Sequence, residues 1–242
     1  MSYFLSHHPC PKCGSSDAYA EYDDGHFWCF SCRYFVPSKI RTIKQIENAL
    51  SQKQRFVKGE LPYDFNNNVP KESYAWLKSY SLTNEEISNN NIGWSDTNSM
   101  LIFPFYGENK DVLCWQGRYF PARNPKVFTS GFPDSHILLH HCSSGSDLRR
   151  VVVVEDSISA IKVSRVCTAT ELLGSNLSTH KAVGLSKLFS HLILWLDNDK
   201  IKEMIKFKEK YGGLFDSIDI IITDKDPKYY NTNEIKEILN YE

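Results

Sequence analysis

The stretch VVVVEDSISAIKVSRV, residues 151–166, decides the fold class of this chain. Four consecutive valines are typical of a strand buried on both faces, as in a parallel sheet, and the residues after Asp156 predict a helix. The pattern returns at HLILWL, residues 191–196, and at IDIIIT, residues 218–223, each followed by a helix pattern. This alternation predicts an α/β domain with a mostly parallel sheet and helices on both faces.

Acidic residues directly follow the first two buried strands. Glu155 follows the valines, and Asp197 and Asp199 follow the second strand. Because the carboxyl ends of parallel strands meet at one edge of a sheet, we expect these three side chains, the acid site, to lie together. Their mutual repulsion favours bound Mg2+ or Mn2+ over the alternative, ordinary polar caps on the following helices. The further acids left open as ligands are Asp156, Asp224 and Asp226.

Four of the seven cysteines form two C-x2-C pairs near the start of the sequence. We call Cys10, Cys13, Cys29 and Cys32 the four-thiol cluster, and Asp24-Gly25 between the pairs predicts a hairpin turn. Two such pairs are typical of a structural, tetrahedral Zn2+ site, which leaves no open coordination position. The alternatives are two disulfides, a redox pair, or substitution of one thiol by His7, His8 or His26.

The surface of this small ribbon is its predicted functional part. Trp28 and Phe30 with Arg33 suit stacking on unpaired bases, whereas other aromatic residues nearby are expected to form the ribbon's own core.

The remaining sequence predicts four segments and an α+β organisation overall. They are a zinc ribbon at 1–38, a basic linker with a short helix at 39–60, a mixed α+β lobe at 61–148 and the α/β domain at 149–242. In the lobe, a helix is predicted at 71–80 and another after Thr83, with Glu86 completing a capping box. Strands are predicted at 100–106, 112–119 and 136–140.

The composition and the first residues argue against a membrane protein and a secreted protein. The net charge is -1, which hides the basic linker and the acidic strand ends. No apolar run is long enough to span a membrane, and the first residues lack a signal-peptide pattern, so we expect a cytoplasmic protein without a membrane partner.

The residues then support a resemblance to a known family. CPKCGSSDAYAEYDDGHFWCFSC, residues 10–32, resembles the N-terminal zinc module of phage primases and primase–helicases, and Glu155 with Asp197-x-Asp199 resembles the TOPRIM domain of bacterial-type primases. The resemblance covers essentially the whole chain. It implies a bacteriophage DNA primase, a DNA-directed RNA polymerase that makes short RNA primers from ribonucleoside triphosphates on single-stranded DNA in the host cytoplasm.

The resemblance also implies roles for residues. Asp197 and Asp199 would be metal ligands, and Glu155 a ligand or the base that takes the hydroxyl proton. The segment from Gln116 to Lys126 resembles one that meets nucleotide phosphates or template, with a solvated basic loop as the alternative. We refer to the three cations of this segment, Arg118, Arg123 and Lys126, as the basic segment.

The sequence departs from the family pattern after both acidic motifs. Asp156 stands where glycine is usual, Ser159 where an acid is common, and Lys200 and Ile201 replace small residues. The chain has no G-x-x-x-x-G-K-[ST] phosphate loop, so we expect a separate replicative helicase as partner. The rival functions are a zinc-plus-TOPRIM recombination mediator without catalysis and a TOPRIM nuclease.

Overall fold

The structure, a computed structural model, describes residues 3–36, 60–142, 149–174 and 176–241. The chain divides into two compact units, Met1–Gln54 and Arg55–Glu242. The predicted linker helix lies outside the described residues, and the four predicted segment boundaries stay predictions. No helix in the described ranges is both long and apolar enough to cross a membrane.

The first unit contains a four-stranded antiparallel ribbon. Its strands, in spatial order, are β1 Phe4–His8, β2 Tyr19–Tyr22, β3 Phe27–Cys29 and β4 Phe35–Val36. The predicted turn joins β2 to β3, and Gly25 adopts a φ of 83° while its N–H donates to the Tyr22 carbonyl at 2.8 Å. Tyr19 stacks on Phe27 with a ring separation of 5.0 Å, which supplies the small core.

The second unit begins with two helices and an antiparallel sheet. The elements are α1 Lys71–Ser79, α2 Asn84–Asn89, β5 Gly93–Ser95, β6 Met100–Tyr106, β7 Val112–Tyr119 and β8 Val127–Gly131, and the sheet order is β5-β6-β7-β8. The predicted strands at 100–106 and 112–119 are confirmed. The predicted capping box is also present, because the Thr83 side chain accepts from the Glu86 N–H while the Glu86 carboxylate accepts from the Thr83 N–H.

A five-stranded sheet with helices follows, which confirms the predicted α/β fold. Its elements are β9 Leu139–His140, β10 Arg150–Val154, α3 Ser157–Val163, β11 Ala169–Glu171, α4 Thr179–Leu188, β12 His191–Leu194, α5 Ile201–Tyr211, β13 Ser217–Ile220 and α6 Thr232–Ile238. The order is β13-β12-β10-β11-β9, and only the β9–β11 pair is antiparallel. The predicted strand at 136–140 is therefore shorter, and it pairs with the α/β sheet, where it covers the edge of β11.

Both faces of β10 are covered, which explains why four apolar valines in succession are accommodated there. Val151 and Val153 pack in a cluster with residues of α4 and α5, while Val152 and Val154 pack in another with residues of α3 and α6. A third cluster joins Leu77 of α1 and Leu101 of β6 to Ile158 and Ile161 of α3. The amino end of α3, directly after Glu155, is thereby fixed between the two sheets.

Candidate metal centres and nucleic-acid surface

The four-thiol cluster is a preformed tetrahedral site. Its four Sγ atoms lie within 4.8 Å of one another. The Cys10–Cys32 and Cys13–Cys29 sulfurs are 3.7 and 3.8 Å apart, close to the roughly 3.8 Å edge of a tetrahedron with 2.3 Å metal–sulfur bonds. These separations exclude disulfides, so that alternative is wrong. His26 contacts Asp24 at 2.5 Å and His8 contacts Glu21 at 2.9 Å, away from the thiols.

Each cysteine pair lies in its own backbone turn, and the two turns are of the same kind. The N–H of Gly14 donates to the Cys10 carbonyl at 3.0 Å, and the N–H of Arg33 donates to the Cys29 carbonyl at 2.8 Å. Each of these donors has a positive φ, 71° for Gly14 and 57° for Arg33. Burial opposes ionisation of Cys10, but the N–H groups of Cys13 and Lys12 lower its pKa to about 6, whereas burial raises the pKa of Cys32 to about 12.

The aromatic residues of the ribbon are divided between core and surface. Phe27 and Tyr34 pack in the core with Tyr19, whereas Phe30 is 61% exposed. Trp28 lies on the opposite side of β3 from Phe27 and contacts the exposed Phe35 at a ring separation of 6.2 Å. The predicted base-stacking residues Trp28 and Phe30, with the exposed Arg33, are therefore available for contact.

Glu155 and Asp197 come together at the carboxyl ends of adjacent strands. Strand β10 pairs with β12 in parallel, with Val153 opposite Leu194, so the residues that follow leave the sheet side by side. Burial and the neighbouring charge of Asp197 together raise the pKa of Glu155 to about 7, although the charge of Lys200 opposes them. Burial also raises the pKa of Asp197 to about 6. The charge of Asp197 thus destabilises the charged form of Glu155.

Two oxygens at this edge fit a cation. Glu155 Oε2 and Asp197 Oδ1 are buried and have no hydrogen-bond partner among the described residues. An ionised carboxylate with a buried free oxygen is costly unless a positive charge compensates it, and hard divalent ions take such oxygens. Among the described residues, only the four-thiol cluster brings three or more possible ligand atoms within 4.8 Å of one another, so Glu155, Asp197 and Asp199 are more widely spaced.

Asp199 lies at the margin of the acid site. Its side chain is 72% exposed, and it accepts from the Lys200 ammonium at 3.0 Å. The structure therefore brings Glu155 and Asp197 together and leaves Asp199 towards solvent. Lys200, which departs from the family pattern, has its pKa raised by this contact with Asp199.

A lysine that the sequence reasoning missed is placed among the acids. Lys228 Nζ lies 3.0 Å from Asp156, 3.0 Å from Asp226 and 3.8 Å from Asp197. Burial opposes its charge, but Asp156 and the other acids raise its pKa above the usual range. Sequence offered only a weak signal, a lysine in the loop after the third strand.

The open ligand candidates have other partners in the structure. Asp156 caps α3 by accepting from the Ser159 N–H at 3.0 Å and the Ser159 hydroxyl at 3.1 Å. Asp224 accepts a short hydrogen bond from the Tyr230 hydroxyl. Asp226 pairs with Lys228. The residues that depart from the family's first motif, Asp156 and Ser159, thus bond to each other.

A row of side chains leads from the basic segment towards the acids. The Arg118 guanidinium lies 4.5 Å from the Trp76 ring centre, and Trp76 contacts Tyr80 at 5.1 Å. Tyr80 contacts Tyr229 at 5.6 Å, next to Lys228. Trp76, Tyr80 and Tyr229 were not predicted, although Trp76 and Tyr80 occupy one helical face at i and i+4.

The other two members of the basic segment are exposed. The Arg123 guanidinium lies 3.4 Å from the Tyr119 ring centre. Lys126 is exposed, and its carbonyl accepts from the Tyr119 N–H at 3.2 Å. Both remain accessible to phosphate groups.

Comparison with known proteins shows which sequences and solved structures this chain resembles. No family model matches the chain. The DNA helicase/primase of enterobacteria phage T3 is 30% identical over 167 residues, which cover 67% of this chain and 28% of that protein. The primase fragment of the bacteriophage T7 primase-helicase protein has 19% identity and a TM-score of 0.51, with 98% of each chain covered. The Aquifex aeolicus primase, with zinc-binding and RNA polymerase domains, has 13% identity and a TM-score of 0.60, with 97% of this chain and 78% of that chain covered.

These two structural similarities show that the chain shares the fold of the T7 primase fragment and of the Aquifex aeolicus primase. The chain is similar in sequence to part of the phage T3 helicase/primase, which confirms the resemblance to phage primases predicted from the sequence. It spans about 28% of the length of that relative.

Proposed function

We propose that the chain is a DNA primase that joins ribonucleoside triphosphates into short RNA primers on single-stranded DNA. The observation that carries this proposal is the pair of buried, unpartnered oxygens, Glu155 Oε2 and Asp197 Oδ1, at adjacent parallel strand ends in a homologue of a phage helicase/primase. The helicase activity in the name of that relative also supports a replicative helicase as partner.

The proposed reaction forms a bond between a ribose 3′-oxygen and the α-phosphorus of a nucleoside triphosphate. The bond from the α-phosphorus to the bridging oxygen breaks, pyrophosphate leaves, and the hydroxyl proton is released. Glu155, Asp197 and Asp199 would hold Mg2+ or Mn2+, which supplies charge neutralisation for the phosphates. Glu155 serves either as a ligand or as the acceptor of the hydroxyl proton.

Other residues would bind and orient the substrates. The basic segment supplies charges for triphosphate or template phosphates, and the stacked Arg118 holds its guanidinium against Trp76 at 4.5 Å. On the ribbon, Trp28 and Phe30 offer rings to unpaired bases, and Arg33 offers a charge. The four-thiol cluster would hold one structural Zn2+ that fixes this surface.

The test is a priming assay with labelled ribonucleotides, Mg2+ or Mn2+, and a library of single-stranded templates. We expect short labelled RNA from the wild type and none from Asp197→Asn. Asp219→Asn, an exposed acid on β13, is the matched control and should prime normally. Template cleavage without synthesis would instead identify a nuclease, and template binding without either reaction would identify a recombination mediator.

A further inference from the structure

The ammonium group of Lys228 occupies a position among three carboxylates. It contacts Asp156 and Asp226 at 3.0 Å each and lies 3.8 Å from Asp197. Its side chain is 17% exposed, so the charge is largely removed from water. A buried ammonium in this position is stabilised by the carboxylates and in turn permits them to stay ionised.

The surrounding structure fixes this lysine. Lys228 lies in a short 3-10 helix, Pro227–Tyr229, and its backbone carbonyl accepts from the Lys162 ammonium at 2.6 Å. Lys162 belongs to α3 and is 3% exposed. Asp156, on the other side of the ion pair, is held by its cap bonds to Ser159. Both partners are thus anchored to α3, Lys228 through Lys162 near the carboxyl end of the helix and Asp156 at its amino end.

The carboxylate oxygens divide into two sets. Asp156 Oδ2 and Asp226 Oδ2 face the ammonium, and Asp197 Oδ2 is the nearest oxygen of the third acid. The second set, Asp197 Oδ1 and Glu155 Oε2, is buried without a hydrogen bond in the described part of the chain. The first set of oxygens therefore already faces a positive charge, and the second set does not.

We propose that Lys228 is a fixed counter-cation that takes the place of a second divalent ion. The acid site then binds one ion, between Glu155 and Asp197, and Asp156 and Asp226 are not ligands. A second ion at the oxygens of Asp156 and Asp226 would have to displace a tethered ammonium or lie against it, and like charges at that distance repel. The inference rests on the proposed function, because it assumes that the acid site binds a divalent ion.

The test measures Mn2+ stoichiometry on the full, zinc-loaded chain by equilibrium dialysis with electron paramagnetic resonance of free Mn2+. We expect one Mn2+ per chain for the wild type and two for Lys228→Met. Lys225→Met is the matched control, because it removes the same charge from an exposed lysine three positions away and should keep one ion. A structural role alone would change the melting temperature but add no ion.

A second variant keeps the test decisive where Lys228→Met folds poorly. Lys228→Met with Asp226→Asn removes one charge of each sign and a proposed ligand of the second ion, so it should return to one Mn2+. Two ions in the wild type, one in Lys228→Met, or two in the double variant would each overturn the proposal. No bound Mn2+ in the wild type would instead overturn the acid site itself, and with it the proposed function.

Discussion

Asp197→Asn should stabilise the fold while it abolishes primer synthesis. Burial raises the pKa of Asp197 against the opposing charge of Lys228, and with the charges of Asp226, Asp156 and Asp199 the pKa reaches about 6, compared with the ordinary value of 3.8. An acid whose pKa rises on folding binds its proton more tightly in the folded state, so its charged form destabilises the fold. The cost is complete above about pH 6, decreases as the pH falls towards 3.8, and disappears below that value.

The magnitude follows from this pKa. A rise of about 2 pKa units corresponds to about 3 kcal/mol at neutral pH. Since the Asp197 side chain is 25% exposed, solvent screening reduces the expected gain from its removal to about 1–2 kcal/mol. For a unit of this size, that gain raises the melting temperature by about 2–8 °C.

The assay is thermal unfolding at pH 8 and at pH 5 without added divalent metal, followed by a titration with Mn2+. Asp197→Asn should melt above the wild type at pH 8, with a smaller difference at pH 5, and Mn2+ should stabilise the wild type more strongly. Asp219→Asn should match the wild type throughout. A melting temperature for Asp197→Asn equal to or below that of the wild type at pH 8 would refute the argument that burial and neighbouring acids make the charge of Asp197 costly, and retained priming would refute the metal site.

Three further predictions concern the ribbon and the basic segment. Cys29→Ser should lose one zinc equivalent and unfold the ribbon while residues 60–241 stay folded, because metal binding supplies much of a small module's folding energy; wild type purified without zinc would contradict this. Replacing the three residues of the basic segment by alanine should reduce the salt slope of template binding by about 2, since each single-strand phosphate contact contributes about 0.7. The same change at the exposed Lys202, Lys206 and Lys208 of α5 is the control, and equal slopes would exclude phosphate contacts. Removal of residues 1–38 should abolish site-selected initiation and spare extension of a pre-made primer, and initiation at wild-type sites would show that the ribbon does not read the template.

Elements with a local burial pattern could be predicted from the sequence. Helices cover both faces of β10, so every position of the strand can be apolar. This apolar run can be recognised from the sequence alone. The turn at Asp24-Gly25 and the capping box at Thr83 are likewise local features. Glu155 and Asp197 could be predicted for the same reason, since each comes shortly after a buried strand.

Strands that depend on a distant partner could not be predicted. Val127 and Phe128 begin β8 but are exposed, and the strand exists because it pairs with β7. The strand predicted at 136–140 is shortened to the two residues of β9, and what could not be predicted is its pairing with β11, which begins some thirty positions later. Neither segment shows the alternation that identifies a half-buried strand.

The position of Lys228 also depends on the path of the chain. Residues 224–228, DKDPK, alternate acids and lysines in one loop, so composition does not distinguish the two lysines. The structure places Lys225 in solvent and Lys228 beneath the acids, because Asp226 begins a short 3-10 helix whose Pro227 is buried. A backbone turn thus decides which charge enters the site.

The departure at Asp156 and the buried Lys228 explain each other. An acid next to Glu155 would add a further repelling charge to the acid site, and a motif comparison alone would therefore treat Asp156 as a defect. In the structure, Lys228 neutralises Asp156 at 3.0 Å, while Asp156 caps α3 through Ser159. Removing Lys228 would leave Asp156 unpaired beside Glu155 and Asp197, whereas removing Asp156 would free the lysine to move towards Asp197. The two residues therefore form one functional unit, and substitutions at either position are meaningful only when the other residue is known.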